Sequence, residues 1–365
     1  MRIAILGAGH GGCAAAADLT LQGHRVSICT RSEATLRPIL DRGGIEVIGA
    51  CEGFARLEEA TTNLARATAG AELIMLVVPS VAHAAYARAL APLLRPEQSV
   101  LLNPGHTGGA LHFLHALREA GCRGPIRLAE TVTLTYICRL EGPARVAIYS
   151  PTRNLRFAAL PGKRLEAMAD LVRPLFPNIR PARSVLETGL MNINAIFHPP
   201  GMLLNAGWIE QTGGGFLFYR EGITPAVGRV VEAVDGERLG IVRALGLDDT
   251  PFVEFFHQAG LTTVEAARSG SVSRACRESE PNKTIRAPGS LDHRYVREDV
   301  GCGLVPMTAF ARMVDRPTRT MDALIHLASL IHGCDYAVEG LSLARMGLEG
   351  VAARDLADLL YEGPA

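Results

Sequence analysis

The sequence predicts an α/β Rossmann-type N-terminal domain followed by a mainly α-helical C-terminal domain. Three observations carry that expectation. A short apolar run, Arg2–Leu6, leads into the pattern G-x-G-x-x-G and then into an alanine-rich segment. Strand-like and helix-like stretches alternate from there to about residue 180. Beyond Pro181 the apolar residues recur at helical spacing, as in Leu186, Leu190, Ile193 and Phe197. A chain of 365 residues normally holds two domains of roughly 100–200 residues each. The expected division is 1–180 and 181–365.

Composition narrows the function classes. Apolar residues make up 48% of the chain, ample for two cores, and the formal net charge is +0 with no long basic block. That balance argues against a nucleic-acid footprint or a polybasic membrane anchor. The eight cysteines are scattered, with no C-x-x-C and no Cys/His cluster at zinc-ligand spacing. No metal site is expected, and reduced thiols in a cytoplasmic protein are. The apolar N-terminal run stops at glycines and reads as neither a signal peptide nor a bilayer span.

The first domain is read element by element. Arg2–Leu6 is a strand, Cys13 to Leu21 a helix, and "HRVSICT" a second strand. Between them Gly7 permits a tight turn, Gly9 lets the backbone approach a pyrophosphate, and Gly12 lets helix and strand pack closely. The helix N-terminus offers free N–H groups to the anion. Strand, glycine turn and helix in a unit of the right length mark a dinucleotide site. Where a carboxylate usually holds the ribose 2′-OH, this chain reads Thr30-Arg31-Ser32. A guanidinium and hydroxyls suit a 2′-phosphate, so NADP (NADPH) is expected over NAD. The strand "AELIMLVVPS" ends at Val78-Pro79-Ser80, with Pro79 expected beneath the cofactor. Asn103, Gly105, His106 and Gly108 fall at the carboxyl edge of the sheet, where ligands of open α/β sheets bind. His106 is either a ligand contact or an exposed loop residue. The stretch 126–151 reads as β-rich and as an extension of the same sheet; Glu130, Thr131 and Tyr136 in it are candidates to line the cleft.

The second domain supplies the candidates for chemistry. His198 lies at the end of the helical stripe, and because Pro199 follows, the chain is expected to leave the helix there. A histidine projecting from such a bend suits a general acid/base; the alternative is a hydrogen-bonded structural histidine. "LDHRYVREDVGCGLVP" packs His293, Arg294, Arg297, Glu298 and Asp299 ahead of a glycine-containing apolar run. It reads as a loop dipping into the interior, or as an ordinary solvated charge run. Thr224-Pro225 looks like an N-cap and first-turn proline. A cleft between the two domains is the natural place for a small-molecule substrate.

At this point the chain resembles the octopine/nopaline (opine) dehydrogenase family over most of its length. "GAGHGG", "HPPGMLLNAG", "YREGITPAVGRVVEAVDGER" and "REDVGCGLVP" carry the likeness, the second and fourth most specifically. The resemblance implies an NADPH-dependent enzyme that joins a 2-oxo acid to the amino group of an amino acid and reduces the imine. It also implies a catalytic His–Asp pair, which falls on His198 and Asp299. Both substrates carry carboxylates, so Arg294 and Arg297 become candidate grips, Arg294 preferred, and Asn192, Asn194 and Asn205 candidate hydrogen-bonding groups. The expected partners are these small molecules, with no nucleic acid and no membrane; the reading leaves room for a homodimer. Two other readings compete. One is a 2-oxo or hydroxy acid reductase of the ketopantoate reductase or 3-hydroxyacid dehydrogenase type, which relies on a lysine near the interdomain helix. Here the only lysines are Lys163, in a loop-like stretch upstream, and Lys283, far downstream. The other is an NADP-binding sensor without turnover, against which His198 and Asp299 speak.

Overall fold

A computed structural model describes residues 1–364, and the order foreseen from the sequence holds: a Rossmann-type α/β region precedes a mainly helical one. The chain forms two compact units. The first comprises Met1–Gly105, Gly109–Thr188 and the C-terminal residues from Ala357; the second comprises His106–Gly108 and Gly189–Leu356.

Twelve strands build the first unit: β1 (Arg2–Leu6), β2 (Arg25–Cys29), β3 (Ile45–Gly49), β4 (Gly53–Ala55), β5 (Glu59–Thr61), β6 (Leu73–Leu76), β7 (Ser99–Leu102), β8 (Arg127–Thr131), β9 (Tyr136–Gly142), β10 (Arg145–Pro151), β11 (Leu155–Leu160) and β12 (Ile179–Pro181). The large sheet runs β12-β11-β8-β7-β6-β1-β2-β5. Every neighbouring pair in it is parallel except β11 with β8. Across β5-β2-β1-β6-β7-β8 the chain order is third, second, first, fourth, fifth, sixth, the doubly wound dinucleotide order. Winding reverses between β1 and β6, where Leu6 pairs with Leu76. β6 and β7 are buried along their whole length, as strands covered on both faces must be.

The β-rich stretch after residue 126 does not simply extend this sheet. β8 joins it, but β9 and β10 pair with β3 and β4 in a separate four-stranded sheet, order β4-β3-β10-β9. Burial explains the split. β8 is covered from Leu128 to Thr131, whereas β9 keeps one half-exposed face, the habit of an antiparallel ribbon. Helix α1 (His10–Leu21) packs on this second sheet with Ala14, Ala15, Ala16 and Ala17 all buried; side chains this small let a helix lie close to strands.

The second unit is helical around Pro225–Ala244. The hydroxyl of Thr224 accepts from the Val227 N–H (3.3 Å), and Pro225 opens the first turn. Its inner face buries Val231, Val234, Ile241 and Val242. It also buries Arg238, whose Nε donates to Asp235 (2.8 Å) while Asp235 accepts from the Phe252 N–H (2.8 Å). That buried pair fixes the Phe252–Gln258 helix to the central one. Among the described residues no helix is long and apolar enough to cross a membrane.

Candidate active site

The site in the second unit is built from two helices. His198 lies within the Ile193–Leu203 helix, which runs on through Pro199 and Pro200 instead of ending at the histidine. The prolines remove two helical donors at a cost of roughly 3 kcal/mol or more each in an isolated helix. Nearly every residue of this helix is buried, so packing holds a backbone that local preference alone would not. The expected bend is therefore absent, and His198 points from a buried helix face.

Asp299 closes the Arg294–Asp299 helix, which begins with the His293 ring accepting from the Tyr295 N–H (3.3 Å). The segment beyond it is no loop. It continues as a π-helical turn, Val300–Leu304, and then as the Val305–Met313 helix. Such turns insert one extra residue into a helix and recur at functional sites. Within this one, Gly303 faces Ala195: a Cβ on Gly303 would lie 2.4 Å from that of Ala195. The absence of a side chain lets the two helices approach until His198 Nδ1 is 2.7 Å from Asp299 Oδ2.

The surroundings of the pair are aromatic and charged. The Tyr295 ring stacks on His198, centroids 3.5 Å apart and planes 11° apart, and fixes the imidazole plane. Glu298, buried, places Oε1 3.2 Å from His106 Nε2 and Oε2 3.1 Å from Arg294 Nε. His106 is buried with φ 63, a left-handed backbone that few non-glycine residues adopt. The alternative in which it is an exposed loop histidine fails. His198 Nε2, Asp299 Oδ1 and both ring nitrogens of His106 are buried without a hydrogen-bond partner among the described residues. Buried polar atoms are nearly always satisfied, so such orphans gathered in one cluster are the mark of a place built for something else to bind.

Burial, with the Arg294 guanidinium adding, holds the His198 imidazole well below its ordinary range. Burial, with the Glu298 carboxylate adding, pushes the Asp299 carboxyl up to about 8. Both pressures oppose separated charge, so the pair shares one transferable proton along the Nδ1–Oδ2 bond.

The other candidates divide. Arg294 is 43% exposed at its side chain and stands beside the pair, while Arg297 is exposed and paired with the surface carboxylate of Asp292. Asn194 is half-buried. Asn192 donates to the Thr107 hydroxyl (3.2 Å), and Asn205 donates to the Gly201 and Gly222 carbonyls (2.8 and 3.0 Å), a structural use. The sequence reading placed Glu298 in the charged cluster without a role, and Tyr295 escaped it. The four-residue spacing from Arg294 to Glu298 was the available signal for that pair; nothing local foretells the stacking.

In the first unit, Gly7 and Gly12 are required by the chain itself. Gly7 has φ 114, and a Cβ there would sit 2.2 Å from the Val77 carbonyl oxygen; one on Gly12 would sit 1.9 Å from that of Gly7. Gly9 differs: it is exposed and a Cβ there would meet nothing within 4 Å. It is also the N-cap of α1, with no side chain capping that end. A bare, uncapped helix start at the β1–β6 switch point fits a dinucleotide pyrophosphate. Thr30 is half-buried and Pro79 exposed after β6. Nearby, Glu130 at the end of β8 is fully buried, touches the Thr188 hydroxyl and accepts from the Ala110 N–H (3.1 Å); burial pushes its carboxyl up to about 8. The Tyr136 hydroxyl donates to Asp18 (2.6 Å), an internal bond. Among the described residues no group of three or more His, Cys, Asp or Glu could hold a metal ion.

A dinucleotide fold joined to a helical domain defines an NAD(P)-dependent oxidoreductase, here one acting on CH–NH bonds, as the comparisons with known proteins show. The profile of the family described as "NAD/NADP octopine/nopaline dehydrogenase, alpha-helical domain" matches residues 181–332, and that of "Ketopantoate reductase PanE/ApbA" matches 3–103. The chain is 35% identical over 355 residues to the opine dehydrogenase of Arthrobacter sp. (strain 1C), spanning 96% of both. It is 28% identical to Protein ocs of Agrobacterium tumefaciens (strain Ach5), again over 96% of both. The structure of octopine dehydrogenase with NADH and L-arginine shares its fold, with TM-score 0.77 and 19% identity over 100% of this chain and 99% of that one. The chain belongs to the octopine/nopaline (opine) dehydrogenase family.

One expectation is overturned. NADP was expected over NAD, but the octopine dehydrogenase structures of this fold hold NADH. The physical reason lies in the triplet that prompted it. Arg31 is an exposed side chain, and the Ser32 hydroxyl oxygen is engaged as N-cap of the Glu33–Arg42 helix, accepting from the Thr35 N–H (3.2 Å). A missing carboxylate and one surface guanidinium do not make a phosphate site.

Proposed function

We propose that this chain makes a secondary-amine dicarboxylate from a 2-oxo acid and an amino acid, with NADH as reductant and His198–Asp299 as its acid/base pair. The observation that carries this is the buried pair, 2.7 Å across, whose outer atom His198 Nε2 has no hydrogen-bond partner among the described residues. Solved octopine dehydrogenase structures contain L-arginine, agmatine or pyruvate, which supports an amine and a small 2-oxo acid as the substrate classes.

In this reading residues 1–180 bind the dinucleotide, with Gly7, Gly9 and Gly12 forming the turn and Thr30, Arg31, Ser32 and Pro79 lying along its adenosine and nicotinamide sides. Residues 181–365 bind the substrates. When bound, the nicotinamide supplies hydride to the imine carbon. The protein moves the protons. The amine enters uncharged, and His198 Nε2, carrying the pair's shared proton, donates it to the hydroxyl that leaves as water; Asp299 holds the ring. Arg294 grips a substrate carboxylate, and Asn194 adds a hydrogen bond. Arg297, committed to Asp292, is left out. Eight cysteines outside any disulfide among the described residues suit a cytoplasmic enzyme.

The test is NADH oxidation with pyruvate and a panel of amino acids, the product identified by mass. Oxidation that needs both substrates and yields their condensed mass is expected. Oxidation with the keto acid alone would transfer the chain to the hydroxy-acid reductases.

A further inference from the structure

The cluster holds a carboxylate that this chemistry does not use. Glu298 stands next to Asp299 in sequence, is 2% exposed at its side chain, and has each oxygen near a different nitrogen: His106 Nε2 at 3.2 Å and Arg294 Nε at 3.1 Å. Removing a carboxylate from water is unfavourable by several kcal/mol unless its partners compensate. Both partners belong to the site. Arg294 meets Glu298 as an ion pair recorded between Nε and Oε2. The edge formed by its two terminal nitrogens is the part of the fork that matches a carboxylate in two parallel bonds.

We infer that Glu298 is a positioning residue for the reaction: it anchors the Arg294 guanidinium by Nε, turning the terminal nitrogens toward a substrate carboxylate, while His106 holds Glu298 from the other side. This rests on the proposed function, since it takes Arg294 as the carboxylate grip. The strained backbone of His106 fits the role, because a left-handed histidine persists only where surrounding structure holds it. Glu298 has a second effect. Its charge lies beside the acid/base pair and favours retention of the shared proton, which supports the same assignment.

Two substitutions separate these effects. Glu298→Asp keeps the charge and shortens the reach by one methylene. With pyruvate and the best amino acid of the panel, it should raise KM for at least one substrate by about tenfold or more, since displacing a grip by about 1 Å costs up to about 10²-fold. The alkaline limb of its pH profile should stay in place. Glu298→Gln keeps the length and removes the charge, so its limb should move to lower pH. His106→Leu leaves both Glu298 and Arg294 intact and should raise the same KM, which keeps the question answerable if a Glu298 variant does not fold. A residue that merely supports the fold would lower the active fraction and leave KM and limb unmoved. KM within twofold of wild type in Glu298→Asp and His106→Leu overturns the inference. Arg294→Ala, run in parallel, locates the failure. If it too leaves KM unchanged, the carboxylate-grip reading falls as well; if it alone raises KM, only the role of Glu298 falls.

Discussion

His198 and Asp299 form a unit with two protonation states rather than two separate titrating groups. With its shared proton the pair presents Nε2–H, a donor; without it, Nε2 is an acceptor. Burial pushes the Asp299 carboxyl up to about 8, so the donor form persists to about that pH. In the proposed reaction, reductive condensation needs the donor and oxidation of the secondary amine needs the acceptor. The expected outcome is a mirror image: reductive kcat/KM falls as pH rises through about 8, while oxidative kcat/KM rises through the same range. Parallel profiles in the two directions would show that another group governs them. The glycines give a second residue-scale prediction. Gly9→Ala should leave the melting temperature within a degree or two and weaken NADH binding, read by fluorescence titration, because its Cβ meets nothing in the chain. Gly12→Ala should lower the melting temperature, since that Cβ would overlap the Gly7 carbonyl oxygen.

At the scale of elements, the site depends on how closely the Ile193–Leu203 helix meets the π-helical turn. Gly303→Ala should destabilise the protein by about 1–3 kcal/mol, as overpacking typically does, and lower kcat by separating His198 from Asp299. Adding Ala195→Gly should restore part of both losses in urea unfolding and in turnover; a double variant no better than the single one would refute the steric account. The elements also show which parts of the molecule local reasoning reaches. The β1–glycine–α1 turn was legible because its glycine pattern lies within six residues, although what requires Gly7 includes the Val77 carbonyl, seventy residues on. The second sheet was not, since β10 finds β3 roughly a hundred residues earlier and no local pattern announces that pairing. The proline rule that ended the helix at His198 is sound for an exposed segment and yields here to burial. His198, Asp299 and Arg294 were readable as a set only through the family likeness. The Glu298–His106 contact joins residues far apart in sequence, beyond the reach of any spacing rule.

For the molecule as a whole, Glu130 ties stability to pH. Its carboxyl lies about 8 in the folded chain against an ordinary value of 4.5, so the fold holds a proton that the unfolded chain releases. The sign follows: this contribution is fully present below about 4.5 and is lost as pH rises toward about 8. Glu130→Gln, which keeps shape and hydrogen-bonding capacity without the ionisation, should lose less melting temperature than the wild type between pH 5 and pH 9. Equal losses would mean that Glu130 does not ionise in that window. Helical periodicity put the start of the second domain at residue 181, whereas the second compact unit comprises His106–Gly108 and Gly189–Leu356. A buried acid inside the first core was hidden, because composition does not say which carboxyl a strand end encloses.

Gly9 carries one more consequence. Of the three glycines in the turn it is the one whose side of the backbone the chain leaves bare. On the proposed function, a lineage carrying a bulkier residue there would inherit an intact fold and an intact His198–Asp299 pair, and would lose only its reductant. Catalytic silence in such a descendant would be invisible to any inspection of its core or of His198. It would be written in a single exposed position at the start of a helix.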